Sequence, residues 1–382
     1  MSLVLPPNSP VETACGLAAD EAACPLGRRG FLLGTAGGLL GAIGVGSQPS
    51  VWAAGEATPS TDSRSMVSPE TEEAIQRGLK WLVGRQQEGG NFGLRSSFSR
   101  YQLNPAVNSL CGLALLSSGS TPGRGPYGAA IQRLTDFVLS CAKSTGYLVE
   151  EDISYYDAPM YGHGFALLYL AEVYGMSPGN RVRESLHRGV QLTIATQNRE
   201  GGWRYAPEPK EADISVTACQ VMALRAAHNA GIAVPRTTID RCIEYLRKSQ
   251  NPDGGFRYQL LTGSESRFPR SAAALTALHS CGVHDGPEVE SARRYLHQFR
   301  PGQPATRERG YYFYAHYYAI QAAWHAGGEL WDEWYPAIRD EMLAMQLANG
   351  SWTDQGISAE YATAMCLIVL QTPNNYLPIF QR

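Results

Sequence analysis

Charge is scarce in this 382-residue chain. Asp, Glu, Lys and Arg make up 18% of it, against about a quarter in an average soluble domain. A basic excess is missing too: 32 Lys and Arg face 35 Asp and Glu, a net charge of −3. That removes the electrostatic footprint of a nucleic-acid binder. The eight cysteines include no C-x-x-C pair and no zinc-finger spacing, which excludes the common structural metal modules. Strand signals are nearly absent, and the apolar run near the N-terminus is too short and glycine-rich for a good spanning helix. Hydrophobic residues are plentiful at 44%, enough for a sizeable core. Few charges and much apolar surface point to a chain that lies mostly inside, or faces a shared cavity.

The N-terminal stretch reads as a targeting segment. "GRRGFLLG" sets Arg28-Arg29 before Phe31-Leu32-Leu33, a weakly apolar Gly-rich run reaches about Val45, and "PSVWAAG" follows. Paired arginines, a mild apolar region and small residues near a cleavage point form a twin-arginine-type export signal. Residues 1–54 are assigned to it, with cleavage near Ala53 or Ala54, and the polar stretch 55–68 to a flexible linker. The expected location is the periplasm or cell envelope. Cys15 and Cys24 leave with the signal. Cys111, Cys141, Cys219, Cys242, Cys281 and Cys366 sit in apolar helical patterns and read as small buried hydrophobes.

"QNREGGWRY" at Gln197 has a near-copy, "QNPDGGFRY", at Gln250. The pattern Q-x-x-x-G-x-[FW] occurs at Gln86–Gly90–Phe92, Gln197–Gly201–Trp203, Gln250–Gly254–Phe256 and Gln346–Gly350–Trp352. Degraded copies fill the gaps: "CAKSTGY" with Cys141 in the glutamine's place and Tyr147 in the ring's, and "QFRPGQP" with Pro304 in place of the ring. A period near 50 marks an array of supersecondary units. Ahead of each motif lies an amphipathic helix, such as Ile75, Leu79 and Leu82 or Ile239, Ile243 and Leu246. After it comes a helix apolar all round, such as "VTACQVMALRAA". Asp213 and Ser358 stand at N-cap places, Pro105, Pro159 and Pro269 near first turns, and Gly119, Gly175, Gly231, Gly282 and Gly327 at helix ends. The expectation is an all-α fold: six helix pairs closed into an α/α toroid over 69–382, buried helices inside.

The six repeats resemble those of the squalene cyclase and prenyltransferase superfamily over about residues 69–375, including exported bacterial members. That resemblance implies an α6/α6 toroid with a central cavity. Protonating cyclases of the superfamily carry D-x-D-D-T-A at an inner-helix head, and "DISVTA" is the matching stretch here. Asp213, Thr217 and Ala218 match, while Ser215 and Val216 replace the acids. Asp213 is the remaining catalytic candidate; as a residue it equally suits a helix cap. Protein prenyltransferases hold zinc with Asp-x-Cys and His, and the matching stretches offer Tyr314, His316, Glu360 and Tyr361 instead. No metal and no cofactor are expected. The diphosphate-binding D-D-x-x-D and the thioester G-C-G-E-Q of related toroids are absent, the nearest acidic cluster being "EEDISYYD", 150–157.

Rings cluster at turns and inner-helix heads. The residues expected to line a ligand cavity are Tyr156, Asp157, Tyr161, His163, Trp203, Tyr205, Tyr258, Arg270, Tyr312, His316, Glu360 and Tyr361. An apolar or isoprenoid-like ligand fits such a lining, with peripheral membrane association as a corollary. Two other readings stand beside it. One is a non-catalytic peptide-binding or scaffold module. The other is a carbohydrate-active α/α-barrel enzyme, for which Asp157, Tyr161, His163, Asp213, Arg270 and Glu360 supply the residue types.

Overall fold

Twelve α-helices alternate between two kinds in the computed structural model, which describes residues 63–93, 105–150, 158–302, 311–354 and 356–380. The amphipathic kind comprises α1 (Pro69–Gly84), α3 (Gly128–Ser140), α5 (Asn180–Ala195), α7 (Arg236–Ser249), α9 (Pro287–His297) and α11 (Gly328–Met345). In α1 the buried set is Thr71, Ala74, Ile75, Gly78, Leu79 and Leu82, one stripe of a helix. The apolar kind comprises α2 (Pro105–Leu116), α4 (Pro159–Met176), α6 (Ile214–Asn229), α8 (Phe268–Ser280), α10 (Tyr312–Ala326) and α12 (Ala359–Gln371). Every residue of α2 is buried, and so is every residue of α12 after Ala359.

The apolar helices form a closed ring. α2 packs on α4, α4 on α6, α6 on α8, α8 on α10, α10 on α12, and α12 returns to α2. The amphipathic helices lie outside, where each covers its stripe against the ring. Closure removes the exposed ends that an open solenoid must cap. The glutamines stitch the outer layer. Gln86, Gln197 and Gln250 each donate from Nε2 to the glycine carbonyl four residues on and to a carbonyl in the next outer helix, Ala130, Thr238 and Glu288 respectively. Gln346 does the same to Gly350 and to Ala74 of α1, so the last unit is tied to the first. Gly201 shows why a glycine is needed: its φ is +104°, and a Cβ would collide with the Arg241 carbonyl of the next outer helix.

The ring residue of the motif is anchored inward through its backbone. Phe92, Trp203, Phe256 and Trp352 donate N–H to Asn108 Oδ1, Thr217 Oγ1, Ser271 Oγ and Thr363 Oγ1 in the first turns of the next inner helices. The second repeat is shifted by one from the sequence reading. Ala142 and Leu148 bridge as Gln86 and Phe92 do, Leu148 N–H donates to His163 Nδ1, and Gly146 abuts the Arg188 carbonyl. Ala142, not Cys141, therefore takes the glutamine's place, and Leu148, not Tyr147, the ring's.

Asp213 and Ser358 cap α6 and α12 as expected, and Gly119, Gly231, Gly282 and Gly327 have positive φ. Gly175 does not end its helix, since α4 runs on to Met176. The expected linker also ends early: Ser63–Met66 is a 3-10 turn, with Ser63 Oγ donating to the Pro373 carbonyl and Arg339 to that of Met66. The signal segment assigned to 1–54 lies outside the described residues. The six described cysteines are buried and free, and no described helix is long and apolar enough to cross a membrane.

Candidate functional site

Two ends of the ring differ. Every inner helix enters from a motif turn, so the six N-termini share one end. At the other end, the 3-10 turn Pro378–Phe380 packs on α4, α6 and α10. There Trp324 Nε1 donates to the Phe380 carbonyl, and Ile379 N–H to Glu172 Oε2. Among the described residues, the C-terminal segment corks that mouth.

Helical phase decides which residues face the axis. Asn108, His163, Thr217, Ser271 and Thr363 point outward, since they hold the motif backbone. Two positions earlier is roughly 200° around an α-helix, so Ala106, Tyr161, Ser215, Pro269 and Tyr361 face inward. On α10 the corresponding residues are His316 and Tyr314. Tyr161, Ser215, Pro269 and Tyr314 keep partial exposure among buried neighbours, as linings of an internal space do. Tyr161 and Tyr314 lie on opposite members of the ring, α4 and α10, yet Tyr161 feels the ionisation of Tyr314. Burial drives both phenols well above the usual tyrosine range. Tyr314 also lies beside Ser215 of α6. One turn deeper, Phe165 of α4 and Tyr317 of α10 meet edge to face across the axis, centroids 6.0 Å apart. With Tyr318, fully buried, they floor the space below the head ring.

Above this ring sits a polar rim. Arg204 Nη1 donates to Asp213 Oδ2 at 2.9 Å and to Tyr258 Oη at 3.1 Å. Its guanidinium lies 4.3 Å from the Tyr205 ring centroid and 5.4 Å from that of Tyr258. Tyr205 and Tyr258 share a 2.6 Å hydrogen bond between hydroxyls. Arg270 lies 5.9 Å from the Tyr258 ring and donates to the Glu265 carbonyl.

Asp213 is fully engaged. Oδ1 accepts the Ser215 and Val216 N–H groups at 2.9 Å each, and Oδ2 takes Arg204. Burial raises its pKa to about 6, against the pull of the Val216 N–H and of Arg204. Both of its oxygens are thereby committed as acceptors, which fixes it as a cap.

Several expected cavity residues face elsewhere. His163 Nδ1 accepts from Leu148, and its Nε2 meets Thr193 of outer helix α5 at 3.0 Å. It stands between the layers, and burial lowers its pKa to about 4. Trp203 is likewise interlayer, its Nε1 donating to the Thr193 carbonyl. Tyr312 Oη donates outward to Glu341 of α11. His316 is buried among Tyr312, Phe268 and Trp334, with no hydrogen-bond partner on either ring nitrogen. Its place in α10 is that of the residues that accept a motif N–H in the other inner helices. Glu360 is buried and paired with Arg85 at 3.0 Å. Tyr361 and Tyr161 belong to the head ring, while Tyr205, Tyr258 and Arg270 form its rim. Tyr156 and Asp157 lie outside the described residues.

Arg204, Ser215, Tyr314, Tyr317 and Phe165 were not among the expected lining. The readable signal for them was spacing: Tyr161 and Phe165, or Tyr314 and Tyr318, stand four apart on one helix face. Among the described residues, one group of histidine and acidic side chains has ligand atoms within 4.8 Å of one another: His297, Glu329 and Glu333, on outer helices. Glu333 there is paired with Arg300.

Similar proteins share this architecture. The type II terpene cyclase MstE from Scytonema superimposes with a TM-score of 0.56 at 16% identity, covering 81% of this chain and 99% of that one. The α-1,6-mannanase GH76A of a Salegentibacter species, solved as an inactive variant with α-1,6-mannotriose, gives a TM-score of 0.59 at 10% identity over 80% of this chain and 99% of that one. At these identities the likeness is one of fold alone. Drimenyl diphosphate synthase of Streptomyces showdoensis is 37% identical over 93 residues, which is 24% of this chain and 17% of that enzyme. The prenyltransferase alpha-alpha toroid domain matches residues 61–302, and with its ring of helix pairs the chain belongs to that family.

Proposed function

We propose that this protein binds a linear isoprenoid at the head ring and leaves it uncyclised. One observation carries this reading: Tyr161, Tyr314 and Tyr361 line the same ring as Ser215, the residue standing where a protonating cyclase of this fold presents its acid. Aromatic faces suit the apolar chain. A serine hydroxyl is too weak an acid to protonate an alkene, and Asp213 has both oxygens occupied as acceptors of two backbone N–H groups and Arg204. Similar proteins support the ligand class. One is named for drimenyl diphosphate synthesis, and MstE has been solved with geranylgeranyl dihydroxybenzoate.

The test is incubation of the purified protein with farnesol, geranylgeraniol and squalene, with mass spectrometry of bound material and products. Intact chains retained by the protein are expected. Cyclised product that disappears in Asp213→Asn would overturn the non-catalytic part and make Asp213 the acid. Failure to retain any chain, alongside peptide capture or polysaccharide cleavage, would move the assignment to the peptide-binding or carbohydrate reading. The proposed site of action is the periplasm or cell envelope, on the strength of "GRRGFLLG". Changing Arg28 and Arg29 to lysine should trap the precursor in the cytoplasm, and normal export of that variant would refute the compartment.

A further inference from the structure

Two phenols in the ring interior lack hydrogen-bond partners. Tyr318 is fully buried, and its hydroxyl meets none. Tyr314, one helical turn nearer the mouth, lies beside Ser215 without a hydrogen bond of good geometry. The two rings are 4.8 Å apart on the same face of α10. By helical phase both positions face the axis, Tyr314 two residues before the outward-facing His316 and Tyr318 two after it. Tyr161 of α4 and Cys219 of α6 oppose the ionisation of Tyr318, Cys219 and Tyr361 of α12 oppose that of Tyr314, and Ser215 of α6 lies beside Tyr314. Directly beside them the Phe165–Tyr317 contact closes the axis, so whatever enters from the head ring ends against these hydroxyls.

Buried polar groups are nearly always paired, and an unpaired one costs free energy. A phenol offers one donor and two acceptor lone pairs. A saturated or alkene chain end would leave both hydroxyls as they are, whereas an oxygen atom would pair them. We propose that Tyr314 and Tyr318 hold an oxygen on the leading end of the ligand, making the substrate class an oxygenated prenyl chain such as a prenyl alcohol or aldehyde rather than a hydrocarbon. The inference rests on the isoprenoid reading of the head ring and adds to it the chemistry of the buried end.

The experiment compares farnesol with farnesene, the same skeleton without the oxygen, by equilibrium binding to the full mature chain. The wild type should favour farnesol by at least about tenfold. Tyr314→Phe/Tyr318→Phe should bring the two affinities close together by weakening farnesol binding. Without ligand, the same variant should melt at or above the wild-type temperature, because it removes hydroxyls that have no partner. Equal binding of the two probes to the wild type overturns this inference but leaves the isoprenoid site standing. Binding of neither overturns both. A melting temperature several degrees lower in the unliganded variant would show that the hydroxyls serve the fold, and would also overturn it.

Discussion

Glu172 illustrates how one buried group ties stability to pH. It is fully buried near the end of α4, where Oε2 accepts the Ile379 N–H at 3.2 Å and Oε1 has no partner. Burial lifts its pKa from 4.5 to about 8, and the Ile379 hydrogen bond opposes this only in part. The unfolded chain releases this proton near 4.5 while the folded one keeps it to about 8. Between those values the unfolded state binds fewer protons, so folding stability falls as pH rises. The contribution is fully present below 4.5 and gone above about 8. His163 and His316 act in the opposite sense: burial holds them neutral at about 4 and about 3, so they remove stability as pH falls below 6.5. A difference between two variants cancels the histidines. We expect wild type minus Glu172→Gln to lose stability on the order of a few kcal/mol from pH 4.5 to 8. Denaturant titrations across that range check it, and parallel profiles would refute the burial of an uncompensated acid.

At the scale of the element, the motif turn does three jobs with three residues. Gln197 bridges its own turn to the next outer helix through Gly201 and Thr238 carbonyls. Gly201 allows the close approach, and Trp203 fills the gap between layers. Gln197→Ala should cost about 1–3 kcal/mol, because it leaves two buried acceptors short of a donor. Trp203→Ala should cost about 3–5 kcal/mol as a core truncation. Thermal melting of both variants is the check; unchanged midpoints would remove the motif's structural role. The fifth turn is built differently. Gln298 is exposed, and nothing stands within 4 Å of a Cβ built on Gly302. In place of the glutamine bridge, α9 and α11 meet through His297, Arg300 and Glu333.

For the whole molecule, closure and plugging set what the ring can hold. Gln346 to Ala74 joins last unit to first, and α12 packs on both α1 and α2. The C-terminal turn covers one mouth, and the Phe165–Tyr317 contact crosses the axis. The head ring lies between that floor and the Arg204–Tyr205–Tyr258 rim. Its walls are tyrosines rather than carboxylates, since Asp213 is tied to Arg204 and Glu360 to Arg85.

Repetition made the architecture legible before any coordinates. A glutamine, a glycine and a ring recur, with amphipathic helices before them and apolar helices after, and those features depend only on local backbone needs and on which surface meets water. The caps at Asp213 and Ser358 were legible for the same reason. The site was not. An inner helix is apolar on every side, so its sequence carries no contrast from which to read which face meets the axis and which the outer layer. That is why His163, Trp203 and His316 read as cavity residues, while Phe165, Tyr317 and Tyr318 passed as core. Only the closed ring assigns the phase: a hydroxyl or imidazole that accepts a motif N–H must point outward, and the residue about half a turn away then faces the axis. The tie between Arg204 and Asp213 had no sequence signal beyond two charges nine positions apart; the turn that brings Trp203 against Asp213 made it a pair.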